Sequence, residues 1–448
     1  MPALLLHSRR AVLPAGTEEA WVMINQGIIT AVHRLAPAGS DVEVMELGDQ
    51  VLIPGIIDPH VHVNEPGRTE WEGFDTATRA AIAGGITTLV DMPLNASPVT
   101  TSVDALNKKI VATRNQLHTN VGFWGGIVPG NHKEVAGLIS NGVLGFKAFL
   151  THSGIDEFPN VTAADLRKVM PIIAQHRLPL LVHCELADDH PRGGGDLRSY
   201  QNYLATRPAE WETNAIQLMI GLSKEYNCKV HIVHLSAAEG IQLVQEAKSR
   251  GVPITAETGQ HYLYFAAETI GNGQTQFKCA PPIRSRDNND QLWRALQSGI
   301  INLVATDHSP CLPALKKLAE GDFIGAWGGI ASLQFALPAL LTAAKKRNCT
   351  WNQVITWLCE QPAQLIGKGA TLGKIAPGYE ANLAVVDDRN SFVVTHDRIL
   401  HRHPLTPYLG EELVGLVTQT YLGGQLVYKD GRMIAANSGK LIFSGMPR

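Results

Sequence analysis

The sequence predicts an α/β protein, a (β/α)8 barrel carrying a small β-domain built from both ends of the chain. Three observations point there. Between residues 54 and 373, eight apolar runs alternate with stretches of helical periodicity. Outside that span the pattern changes to short strands and tight turns. With 448 residues, 45% of them apolar and 18% charged, the chain can bury one large core and a smaller one, which suits two domains better than three.

In chain order, residues 1–53 read as short strands, as in "AWVMINQGIITAVH" with its Gln-Gly turn. The eight apolar runs follow: "LIPGIIDPHVH", "GITTLVDMP", "VGFWGGIVP", "VLGFKAFL", "LPLLVHCE", "KVHIVHLS", "VPITAETGQHY" and "INLVATDHSP". Each precedes a helical pattern such as "GIQLVQEAKSRG", and eight βα units of this kind, with an insertion, make a TIM barrel whose chemistry sits at the C-terminal strand ends. The longest apolar run, Gly328 to Ala344, holds Gln334 and Pro338 and falls short of the ~20 residues of a membrane span, so a buried helix is expected. Residues 374–448 return to strands in "GKIAPGYEANLAVVDD" and "TQTYLGGQLVYKDGR". Neither end alone could bury a sheet's apolar face. Residues 1–53 and 374–448 are therefore expected to form one composite β-domain, a small sandwich, beside a catalytic barrel of 54–373.

Charge and cysteine usage narrow the function. A net charge of -3 without blocks of like charge gives no footprint for nucleic acid or an acidic membrane, leaving a small molecule as the expected partner. Six scattered cysteines without a CxxC pair suit a reducing cytoplasm, and the opening "MPALLLHSRR" has too short an apolar core for a signal peptide.

The strand ends carry the chemistry. The first run finishes at His60 and His62, the fourth at Lys147, the fifth at His183, the sixth at His234 and the eighth at Asp307, so imidazoles and a carboxylate converge on one mouth. Residues i and i+2 of a strand face the same way, which makes His60 and His62 a clamp for a metal ion. Singly, each histidine could be a satisfied core residue and Asp307 a helix N-cap. Their joint placement on different strands is what favours ligands.

Lys147 lies in "LGFKAFL" between apolar neighbours, where an ammonium is costly. Its stem could pack while its head reaches the barrel mouth. A neutral amine there could instead add carbon dioxide, giving a carbamate whose two oxygens bridge two divalent cations. With Asp307 and a hydroxide, such a centre carries about +1, suited to a reaction that develops an oxyanion.

The order HxH, Lys, His, His, Asp on a barrel with a split β-domain resembles the cyclic amidohydrolases, which include dihydroorotases, hydantoinases and allantoinases. The likeness covers nearly the whole chain. The segments "HVHVNEPGRTEWEGFDTATRAAIAGGITTLVDMPLNASP", "GFWGGIVP", "FLTHSGIDEFP", "YLATRPAEWETNAI", "KCAPPIR" and "ATDHSPC" resemble the allantoinase branch. The resemblance implies that His60, His62, Lys147 and Asp307 hold one metal and Lys147, His183 and His234 the other, with Lys147 modified to N6-carboxylysine. It further implies two divalent ions, zinc foremost, and hydrolysis of the ring amide of allantoin to allantoate by a metal-bridging hydroxide, with Asp307 as the catalytic proton carrier. A homotetramer is implied as well. The sequence departs from the branch at "ETGQHYL", where "ETCPHYL" is the pattern, which leaves the role of His261 open.

Substrate choice rests on fewer residues. Dihydroorotases place an arginine two residues after the second histidine, to pair with a carboxylate; Asn64 stands there instead and could bond a neutral ureido group. Asn95 in "MPLN" is a second candidate, and either could simply hold its own turn. Arg68 keeps a positive charge nearby. His152 and Ser153, in the Gly- and Pro-containing loop 151–160, could cover the substrate or lie on a plain surface loop. A hydantoinase, dihydropyrimidinase or dihydroorotase activity is the alternative. A metal-free scaffold would have no need for all six ligand positions, and all six are filled.

Overall fold

A computed structural model describes residues 3–37, 42–188 and 195–445. All eight apolar runs contain a barrel strand: Ile56–Val61, Ile86–Asp91, Asn120–Phe123 with Gly125–Gly126, Phe146–Phe149, Leu180–His183, Val230–Ile232, Ile254–Gly259 and Leu303–Ala305. Neighbouring strands pair in parallel. Parallel strands are covered on both faces, which is why these runs are apolar throughout and do not alternate. The third strand is interrupted at Trp124, whose indole N–H donates to the Pro59 carbonyl at 2.8 Å. Past that break the chain needs glycine: a Cβ on Gly125 would meet the Phe146 ring at 2.8 Å and one on Gly126 the Phe158 ring at 2.5 Å. The circle closes between the last strand and the first, where the His62 amide donates to the His308 carbonyl at 2.8 Å.

Helices cover the barrel where the periodicity placed them. "GIQLVQEAKSRG" forms Gly240–Ser249, and Ala163–Gln175 begins with a capping box between Thr162 and Asp165. The run 328–344 differs from expectation. Its helix covers only Ala336–Lys345, after a 3₁₀ turn at Leu333–Phe335. Ile330 instead bridges to His308, and the amides of Ser332 and Leu333 donate to the Nδ1 of His308, so this part of the run lines the edge of the eighth strand.

A nine-stranded sheet draws on both ends of the chain and forms the β-sandwich beside the barrel. From the N-terminal side come Leu4–Leu13, Gly16–Asn25, Ile28–His33, Glu43–Glu46 and Val51–Pro54. The C-terminal side adds Leu383–Val393, Glu412–Leu422, Gln425–Lys429 and Arg432–Met433. The halves join where Leu383–Val386 runs antiparallel to Val51–Pro54. The Gln-Gly turn has φ 49° and 82° at Gln26 and Gly27, both left-handed as a two-residue hairpin of type I′ requires. Leu6, Val22, Ile24, Leu52, Leu383 and Tyr421 share a core apart from the barrel's, and Arg10 grips Asp388 with two bonds of 2.7 Å across the two ends. After this sheet, Gly439 and Ile442 hydrogen-bond to Leu117 and Val121, laying the tail against the barrel. All six cysteines are free thiols.

Candidate functional site

The C-terminal ends of the barrel strands open into a cavity of about 670 Å³ lined by His60, His62, His183, His234 and Asp307. The ligand atoms of His60, His62 and Asp307 lie within 4.8 Å of one another. One carboxylate oxygen, Oδ1 of Asp307, is 3.2 Å from Nε2 of His60 and 3.3 Å from Nε2 of His62. The ring of His234 is 5.4 Å from that of His60 and 4.6 Å from that of His183. Lys147 is fully buried beside them, with Nζ 4.9 Å from the centre of the Phe149 ring and no hydrogen-bond partner among the described residues.

The backbone is strained where it delivers these groups. His234 and Asp307, each two residues beyond its strand, have φ of 39° and 45°, and Asn64 and Asn95 have 68° and 66°. Left-handed backbone costs an ordinary residue ~1–2 kcal/mol, least for Asn and Asp, and such residues gather at functional sites. Asp307 caps none of the described helices. Asp58 ties the two closing strands together, accepting from the Thr306 hydroxyl at 2.5 Å and the His60 amide at 3.1 Å.

Burial disfavours charge on the histidines, lowering His62 to about 4 and His183 and His234 below their usual value. Neutral imidazoles are what a metal needs. Burial alone would raise Asp307, but His60, His62 and His234 around it outweigh that and hold it far below the usual carboxylate range. Burial lowers Lys147 to about 8, offset in part by Asp307 and Glu257.

Two buried carboxylates orient the histidines, and sequence reasoning missed both. Glu257 lies 2.5 Å from Nδ1 of His60, and Glu185 lies 2.6 Å from Nε2 of His183 while Arg207 grips its two oxygens. An acid inside an apolar strand run, as in "PITAETG", and one two residues past a strand-end histidine, as in "HCE", were the available signals.

The four candidate substrate contacts separate. Asn95, His152 and Ser153 line the cavity. The amide of Asn95 faces Nδ1 of His62 at 3.2 Å, whereas the Ser153 hydroxyl donates within its own loop to Phe158 and Ile155. Asn64 does not line the cavity: its amide donates to the Pro310 carbonyl at 3.1 Å, holding the loop after the eighth strand. Arg68 is outside it too, bonded to Glu157 at 2.8 Å and to the Asn95 carbonyl, so its charge tethers the 151–160 loop. His261 is buried against Tyr262, without a partner for either ring nitrogen among the described residues, and does not line the cavity.

The residues present suit a metal. The donors are nitrogen and carboxylate oxygen, and two buried polar atoms at the mouth, Nζ of Lys147 and Nδ1 of His234, find no partner among the described residues. The profile of the amidohydrolase family matches residues 51–427, and the chain belongs to that family. Within it, the chain is 42% identical to an allantoinase of Arabidopsis thaliana, over 97% of this chain and 90% of that one, and 45% identical to an allantoinase of Streptomyces avermitilis, over 96% of each. In three dimensions it is similar to the L-hydantoinase (dihydropyrimidinase) of Arthrobacter aurescens, with a TM-score of 0.91 and 27% identity over 99% of this chain and 100% of that one. No helix among the described residues is long and apolar enough to cross a membrane.

Proposed function

We propose that this chain hydrolyses the ring amide of allantoin to allantoate at a two-metal centre held by His60, His62, Lys147, His183, His234 and Asp307. The observation that carries it is the meeting of four histidines and an ionised aspartate in one cavity, with the buried Lys147 beside them lacking a partner among the described residues, in a chain 42% and 45% identical to two allantoinases over nearly its full length. Residues 54–373 act as the catalytic barrel, with 1–53 and 374–448 as the composite β-domain.

Two divalent ions held by these residues, zinc foremost, would supply Lewis acidity to an attacking water and to the amide carbonyl. The chain's own groups do the rest. Lys147, as a free amine, would add carbon dioxide with loss of one proton to give N6-carboxylysine, an anionic oxygen donor for the centre. Asp307 accepts the proton of the attacking water and hands it to the departing ring nitrogen. Asn95, His152, Ser153 and Trp327 line the cavity that would take the ring. A cytoplasmic homotetramer completes the proposal.

A hydantoinase or dihydropyrimidinase is the second possibility, favoured by the likeness to the Arthrobacter enzyme. One assay decides between them: turnover of allantoin, hydantoin, dihydrouracil and dihydroorotate by protein whose metal content has been measured. Allantoin should be preferred at least tenfold in kcat/KM. Preference for hydantoin or dihydrouracil would overturn the proposal.

A further inference from the structure

Glu257, on the seventh barrel strand and 1% exposed, meets two imidazoles at once. Its Oε1 is 2.5 Å from Nδ1 of His60 and its Oε2 is 3.0 Å from Nε2 of His231. The other ring nitrogen of His231 is 2.7 Å from the Thr255 hydroxyl, its register partner on the next strand. His231 and Thr255 also line a second cavity of about 520 Å³, at the opposite ends of the barrel strands. A polar column therefore runs up the barrel interior to the metal mouth.

The direction of every bond in the column follows from one charge. Both carboxyl oxygens of Glu257 face ring nitrogens, and a carboxylate in that position can only accept. His231 must then carry its proton on Nε2, leaving Nδ1 to accept from Thr255. His60 must carry its proton on Nδ1, leaving the Nε2 lone pair aimed at Asp307 and the mouth. The other histidines are held differently. Glu185 behind His183 is paired with Arg207, Nδ1 of His62 faces the Asn95 amide, and Nδ1 of His234 has no partner among the described residues.

We infer that Glu257, itself set by His231 and Thr255, is the positioning residue that locks His60 in its ligating tautomer. This rests on His60 being a metal ligand. An amide at position 257 offers one acceptor where the column needs two. Keeping its oxygen on His60 puts its NH2 against His231, which must move its proton to Nδ1, and the Thr255 hydroxyl can then accept. Glu257→Gln should therefore fold, at the cost of a neutral acceptor behind His60.

Chelator competition on the zinc-loaded enzyme tests this. Glu257→Gln should bind metal 10- to 100-fold more weakly, the usual loss for a partner behind a ligating histidine. Its metal-free melting temperature should match the parent's, and excess zinc should restore kcat with KM unchanged, which a merely structural lesion would not permit. His231→Gln, a milder cut, should weaken binding several-fold in the same direction. Adding Thr255→Val to Glu257→Gln should cost more than the two single effects together, because the relocated His231 proton loses its acceptor. Metal binding by Glu257→Gln within threefold of the parent, or weakening that tracks a fall in the metal-free melting temperature, would overturn the inference. His60→Asn separates the two claims: parent-like metal binding there removes the ligand assignment and the column with it, whereas weakened binding there beside an unchanged Glu257→Gln removes the column alone.

Discussion

Metal-free protein stripped of carbon dioxide should regain activity with a pH dependence set by Lys147. Only the free amine adds carbon dioxide. Burial brings this lysine from 10.5 to about 8, so at pH 7 roughly 9% of it is neutral, against ~0.03% for an ordinary lysine, a gain of about 300-fold. The sign is that of a lowered base: neutral amine grows about tenfold per pH unit up to 8 and then levels off. The assay adds zinc and a fixed concentration of dissolved carbon dioxide at several values between pH 6 and 10. It follows the return of allantoin turnover together with the carbamate carbon signal of ¹³C-labelled carbon dioxide. The rate should climb to about pH 8 and flatten. A rate still climbing tenfold per unit at pH 10 would show a lysine unperturbed by its pocket, and recovery without added carbon dioxide and without a carbamate signal would refute the bridge. Lys147→Ala provides the complement. It should lose most of its second metal and its turnover, with partial return on adding a short carboxylic acid.

Asp307→Asn should lower kcat by roughly 10²- to 10⁴-fold, the span for a lost general base, and kinetics within a few-fold of the parent would assign the proton transfer elsewhere. Arg207→Met strands the fully buried Glu185 carboxylate, costing about 3–5 kcal/mol in denaturant unfolding at pH 7. Because His183 and Arg207 hold Glu185 down to about 2 against its burial, its stabilisation is complete above pH 4.5 and fades as pH falls toward 2, so the variant's deficit should shrink in acid; equal stability at pH 7 would deny the pair any role. Asn64→Arg should lower stability by about 1–3 kcal/mol through the lost bond to Pro310 and leave the preference for allantoin over dihydroorotate unchanged. Newly gained dihydroorotate turnover would mean that position 64 reaches the substrate after all.

What the amino-acid sequence determined by itself was the barrel and the identity of the groups at its mouth. Residues buried on both faces leave continuous apolar runs, and polar residues toward the C-terminal end of such a run face the barrel mouth, so His60, His183 and His234 were legible as candidates at one mouth from the sequence, whereas Lys147, expected to end its strand, sits inside Phe146–Phe149. The composite β-domain was legible because neither end of the chain could cover a sheet alone. The tertiary structure alone decided what stands behind those groups. Glu257 is 197 residues from His60, and the two meet because the register of the seventh strand, and closure of the eighth onto the first, bring that carboxylate under that imidazole. Asn64 turned away from the substrate space for the same kind of reason: a left-handed backbone aims it at Pro310, 246 residues on, and Arg68 is spent on Glu157 of a distant loop. Periodicity encodes which face a residue shows to the core. Which partner it meets there depends on register between strands far apart in the chain, and that is settled only when the barrel closes.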